Sequence, residues 1–379
     1  MTSTGFFSRY PIVSVLAFGA LAAYPLLPGS DPVLGNQLVP LIVYALLALG
    51  LNVVVGYTGL LHLGIAAFFG IGAYTTGILS TRSFPFHQSF LAAAVASVLV
   101  SAAVGVVTAA PTLRLRGDYL ALVTLGFGQI AIYLITNLES ITDGTQGIKQ
   151  IYVSALPGGT YRGTSDALGV RDWQGYPTFY YLSLAVLVLT FLFLRNLERS
   201  RLGRSWVALR EDELAASCMG LNPARLKLSA IALSAGIAGL AGCLYATNLK
   251  STAGPDAFNF NRSMITLCCL ILGGLGNRPG VLVGVFLLIG YDAVLSPMID
   301  TWIQQQLSPE MKGKSFYKLS GWKLFIFGGV LILMMRFRPE GLLPAERLKH
   351  ELHPEEDESA GTAAAQKEIA GAAPNRPVS

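Results

Sequence analysis

The sequence predicts an all-α polytopic membrane protein of about ten transmembrane helices, and three observations carry that expectation. Of 379 residues, 53% are hydrophobic and only 13% are charged, where a soluble domain carries about 25%. Mean hydropathy is +0.54. The apolar residues also gather into runs that approach the roughly 20 needed to cross a bilayer. Formal net charge is +5, but in a membrane protein the placement of Lys and Arg matters more than their sum. Nucleic acid is not an expected partner; the lipid bilayer is.

The runs lie at about 10–27, 38–56, 59–79, 89–110, 119–137, 176–194, 228–248, 261–276, 279–296 and 322–336. The first follows Arg9 as a signal peptide would, yet no small-residue cleavage site follows, so it is expected to remain as a helix. The run 261–276 is short and ends in glycines; it is either a full span or a half-span packed in protein, away from lipid. Placing the N-terminus in the cytoplasm puts Arg9, Arg114, Arg116, Arg278, Arg336, Arg338, Arg347 and Lys349 on that side, close to helix ends. The loop 138–175 then faces outward, where Thr142 to Gly147 offer either a docking surface or a plain solvated connection. Residues 1–350 form one membrane domain. Residues 351–379 have few large apolar side chains and an acidic start, which predicts a disordered cytoplasmic tail.

The polar insert 195–227 interrupts the series with seven Lys or Arg residues against Glu198, Glu211, Asp212 and Glu213. Glu211, Asp212 and Glu213 are expected in the first turn of a short helix, where carboxylates favour the positive dipole end. Leu214, Ala215, Cys218 and Met219 then share one face. Gly220 and Pro223 are expected to stop it. A helix of two turns is unstable alone, so it needs a partner and reads as a docking loop.

Chemistry of other kinds is poorly supported. The cysteines Cys218, Cys243, Cys268 and Cys269 have no metal or redox spacing and read as packing thiols. No G-x-x-x-x-G-K-[ST] loop occurs, so any ATP must be bound by another subunit. Gly126 to Ala131 and Gly273 to Gly280 imitate nucleotide loops, but close helix packing explains their glycines better. The histidines His62, His87, His350 and His353 suggest no pairing with a nucleophile. No enzyme, cofactor or metal site is expected.

The glycine series Gly50, Gly56, Gly59, Gly64, Gly70, Gly72 and Gly77 has two readings. It permits close helix packing, and Gly56-Tyr57-Thr58-Gly59 can break a helix of the kind that lines transporter sites. Polar residues in or beside spans are Asn52, Thr58, His62, Thr124, Gln129, Asn137, Asn248 and Asp292. Of these, Asn52, Gly56, Thr58, Gly59, His62, Thr124 and Gln129 make a candidate translocation path, although His62 also suits a hydrogen-bonded structural role. A dense series of intramembrane charges is absent from the spans, so energy is expected to enter elsewhere.

Four blocks, LNVVVGYTGLLHLGIAAFFGIGAY at 51–74, LRLRGDYLALVTLGFGQIAIYLITN at 113–137, GRSWVALREDELAASCMGLNPARLKLSAIALSAGIAGLAG at 203–242 and ILGGLGNRPGVLVGVFLL at 271–288, with the ending RFRPEGLLP at 336–344, resemble the LivM-type permeases of branched-chain amino-acid ABC transporters. The resemblance implies a type II ABC importer permease fold in the bacterial inner membrane, with both termini cytoplasmic. It implies a LivH-type second permease, two cytoplasmic ATPase subunits and a periplasmic substrate-binding protein as partners. The short helix then looks like a coupling helix whose contact residues are Glu211, Asp212, Glu213, Leu214, Ala215, Ala216, Gly220, Asn222 and Pro223. Ala215, Ala216 and Gly220 match the A-A-x-x-x-G of importer loops, while Leu214 stands where that motif has Glu, and Gln129 where the family often has Glu. Urea permeases of similar sequence share the insert, and a stand-alone secondary carrier using Asp292 is the rival from another class.

Overall fold

In lipid a backbone must satisfy its own polar groups, and the apolar runs do so as helices. The computed structural model describes residues 32–81, 88–111, 118–151, 178–306, 319–338 and 341–343. The expected first helix at 10–27 and the tail 351–379 lie outside these residues.

The chain builds α1 (Pro32–Asn52), which continues into a π-helical turn (Val53–Tyr57), then α2 (Ile65–Ser80), α3 (Phe90–Ala109), α4 (Asp118–Asn137) and the single turn α5 (Glu139–Thr142). There follow α6 (Thr178–Arg199), α7 (Arg201–Glu211), α8 (Glu213–Cys218) and the long α9 (Pro223–Leu249). The last elements are α10 (Phe260–Gly273), α11 (Arg278–Gly290) with a second π turn (Tyr291–Leu295), α12 (Ser296–Gln306) and α13 (Lys323–Phe337). Each of the nine expected spans within the described residues contains helix. Among the described residues six helical stretches have the length and apolarity of a crossing, while Ile65–Ser80 and Phe325–Phe337 are shorter. The 261–276 run forms a helix of 14 residues, about 21 Å long and short of the roughly 30 Å hydrocarbon layer. Gly274, at φ +112°, ends it.

Burial explains the layering. Ile42, Leu46, Leu47, Leu49 and Leu51 of α1 are fully buried, so α1 is the axis around which α2, α6, α9, α10 and α11 pack. Small residues bring α2, α3 and α9 to backbone contact: a Cβ on Gly72 would strike Gly239, and one on Gly239 would strike Ser101. The hydroxyls of Ser97 and Ser101 donate to the carbonyls of Gly72 at 3.0 Å and Phe68 at 3.2 Å, closing the polar groups between helices. Leu91, Val95, Leu99 and Val107 of α3 are exposed on the outside of the bundle. A Cβ on Gly126, by contrast, would meet nothing within 4 Å among the described residues, whereas one on Gly128 would meet Gly64 at 3.8 Å.

At the end of the bundle away from the insert, Thr81 bridges Ile151 and Lys149 bridges Ser251, so the described part of the 138–175 loop is folded against the turn after α9. Within it Thr142 is buried and donates to Ile135 O at 2.6 Å, while Asp143, Thr145 and Gln146 are exposed.

Candidate functional site

The insert is two helices with different attachments. α7 is fastened to the bundle: Ser200 caps it by accepting from Gly203 N at 3.3 Å, and Trp206, 1% exposed, donates from Nε1 to Leu226 O and Ser229 Oγ, each at 3.1 Å. α8 projects. Asp212 is its N-cap, with Oδ1 accepting from Leu214 N at 2.8 Å and Ala215 N at 3.0 Å. Such a cap is worth about 1 kcal/mol.

Two sequence expectations are corrected here. Glu211 does not lie in the first turn of the short helix; it is the last residue of α7, because the Asp212 cap adopts extended backbone between the two helices. Pro223 does not stop α8; it is the first residue of α9, where its missing donor costs nothing, and Asn222 caps that helix by accepting from Arg225 N at 3.2 Å. Gly220 does end α8, at φ +84°. Glu213 turns back to pair with Lys227 Nζ at 2.8 Å, and that lysine is only 6% exposed. The apolar face is displayed rather than buried: Leu214 is 66% and Met219 85% exposed, with Ala215 and Cys218 exposed beside them, while Ala216 packs inward.

Beside α7 the first described span breaks. After the π turn, Gly59 takes φ +69°, and residues 59–64 are not helical before α2 begins at Ile65. Thr58 assists by donating its hydroxyl to Val54 O at 2.6 Å. This break makes the expected 59–79 span a shorter helix, and it is gripped from three sides. Arg210 Nη1, from the last turn of α7, donates to Gly56 O at 2.7 Å, and its Cγ lies 2.9 Å from where a Cβ on Gly59 would stand. Asn52, fully buried, accepts from Gly276 N at 3.0 Å. Thr124 of α4 accepts from Leu63 N at 3.1 Å.

His62 hangs from the break into a small cavity lined by Thr108 and Ala109 of α3, Val123, Thr124 and Phe127 of α4, and Ile231 of α9. It is 3% exposed, stacks on Phe68 at 5.6 Å, and its Nδ1 has no hydrogen-bond partner among the described residues. The structure places His62 and Thr124 at this cavity, while Asn52, Gly56, Thr58 and Gly59 lie along the π turn and the break that lead to it. Gln129, half-buried further along α4, is likewise not among the cavity residues.

Sequence reasoning missed three participants. Arg210 looked like one insert charge among seven. Arg278 at the start of α11 pairs with Glu198 of α6 at 2.7 Å and lies over Phe191 at 5.6 Å, tying both helices beside the break. Arg262, at the start of α10, is surrounded by the rings of Tyr44, Phe69 and Tyr245. The only signal for it was a cation opening an apolar run.

Comparison with known proteins agrees with this architecture. The family model described as "Branched-chain amino acid transport system / permease component" matches residues 33–335. The high-affinity branched-chain amino acid transport system permease LivM of Salmonella typhimurium is 39% identical over 316 residues, covering 80% of this chain and 68% of the relative. Its Escherichia coli counterpart is 37% identical over 319 residues, covering 80% and 68%. The LivH permease of Salmonella typhimurium is 25% identical over 265 residues, covering 68% of this chain and 83% of the relative. No solved structure matches the chain significantly.

Proposed function

Because this chain belongs to the branched-chain amino acid transport permease family, we propose that it is a membrane subunit of an ATP-binding-cassette importer that moves branched-chain or other hydrophobic amino acids inward. Two cytoplasmic ATPase subunits bind the nucleotide, a LivH-type permease completes the pore, and a periplasmic binding protein delivers substrate. The likeness to both LivM and LivH permeases supports the pairing of two related subunits. In the inner membrane, the insert and both termini face the cytoplasm.

The observation that carries this proposal is the exposed apolar face of α8, held at the end of a firmly packed α7 whose Arg210 reaches the break in the first described span. The ATPases dock on Leu214, Ala215 and Met219, with Glu211, Asp212, Glu213, Ala216, Gly220, Asn222 and Pro223 shaping and orienting that contact. Nucleotide binding draws the ATPases together and shifts the population between inward- and outward-open bundles. Arg210 carries the displacement to Gly56 and Gly59, and the segment 59–64 moves His62 relative to Thr124. Asn52, Gly56, Thr58, Gly59, His62 and Thr124 line the inner end of the path, and Gln129 sits further along it.

The test is leucine accumulation in proteoliposomes holding the full set of subunits. ATP-dependent accumulation that stops when the ATPases are omitted supports the importer. Accumulation without ATPases, sensitive to substitution of Asp292, would identify a secondary carrier, and transport of urea in place of leucine would reassign the substrate.

A further inference from the structure

Arg262 is a charge that the coupling machinery does not use. It stands in the first turn of α10, and its Cζ lies 5.4 Å from the Tyr44 ring centroid of α1, 4.9 Å from that of Phe69 in α2 and 4.9 Å from that of Tyr245 in α9. Tyr44 and Tyr245 belong to helices of crossing length, so the guanidinium sits within the bundle. A cation there is costly and marks function by default.

The rings compensate it only in part. Their negative faces attract the charge, but a guanidinium also presents five N–H donors along its edge, and among the described residues none of them reaches an acceptor or a carboxylate. The side chain is half-buried, so part of it remains reachable. Rings from three helices hold the cation in place.

We propose that Arg262 binds the α-carboxylate of an amino acid in transit, its N–H edge forming the paired, charge-assisted hydrogen bonds that a guanidinium makes with a carboxylate. The proposal rests on the importer function and sharpens it, because a neutral amide such as urea offers no anion to that fork.

The experiment uses the complete complex in proteoliposomes with saturating leucine-loaded binding protein, so that the binding protein's own affinity does not limit the rate. Arg262→Met fills the ring box without charge, and Arg262→Lys keeps the charge but loses the fork. The Met variant is expected to assemble and keep its stimulated ATP hydrolysis while leucine uptake falls by about tenfold or more, the effect of removing a charged hydrogen-bond pair; the Lys variant should fall in between. Undiminished uptake by Arg262→Met overturns the proposal, and so does loss of assembly in both variants, which would make the ring box purely architectural. Failure of the importer function is distinct: the wild-type complex would then accumulate no leucine with ATP present.

Discussion

α8 and the break at 59–64 are both short interruptions between long helices, yet they are held in opposite ways. α8 is specified by its immediate neighbours, through the Asp212 cap, Gly220 at φ +84° and the Asn222 cap of α9. The break is specified at a distance: Gly56 O by Arg210, 154 residues away; Leu63 N by Thr124, 61 away; Asn52 by Gly276, 224 away. The first is exposed and offers an unpaired apolar face; the second is partly buried, with Gly56 O and Leu63 N taken up by side chains of other helices. A docking element has to be locally stable and externally unsatisfied. A gate has to be coupled to everything around it, and the two meet at Arg210.

Perturbing each side separately sharpens this contrast. The largest effect is expected from Leu214→Glu combined with Met219→Glu, which puts charges on the docking face without touching the bundle. The ATPases should no longer co-purify and uptake should be abolished; retained co-purification would place the dock elsewhere. Next comes Glu213→Arg, which removes the partner of a nearly buried Lys227 and sets two cations together. Breaking a buried pair costs about 3–5 kcal/mol, less here because Glu213 is 33% exposed, so thermal unfolding of the purified protein should fall by several degrees along with uptake.

Asn52→Ala should act beside the break and away from the dock, freeing Gly276 N at a cost of about 1–3 kcal/mol. It should slow uptake while the ATPases remain bound, as a pull-down would register. The smallest effect is expected from Asp212→Ala, which loses one cap worth about 1 kcal/mol. Uptake should decline only a few-fold at ordinary temperature and more steeply on warming, since docking supplies what the cap no longer does.

The same contrast explains what the sequence could disclose. Apolar runs are local, and the nine expected spans within the described residues all contain helix, although the 59–79 run becomes helical only at Ile65. The α8 region was legible because caps and glycines act over three or four positions, although the Asp-Glu cluster was assigned one turn too far into the helix at Glu211, and Pro223 was read as a stop when it is a start. Gly59 signalled a break, but nothing local shows that Arg210 fills the space its missing Cβ leaves. Gln129 was grouped with His62 by polarity, and it does not share the cavity that His62 and Thr124 line. Arg262 escaped because its rings come from positions 44, 69 and 245, a neighbourhood that only the folded bundle assembles.

The central claim is that movement of the ATPases reaches the break through Arg210. Leu61, at 37% exposure within the break, allows this to be measured as the maleimide-labelling rate of Leu61→Cys in a Cys218→Ser background, in the assembled complex with and without trapped ATP. The account predicts that nucleotide changes the rate several-fold when Arg210 is present, and that Arg210→Ala, with the ATPases still bound, removes the change. An equal nucleotide response in both proteins would contradict it.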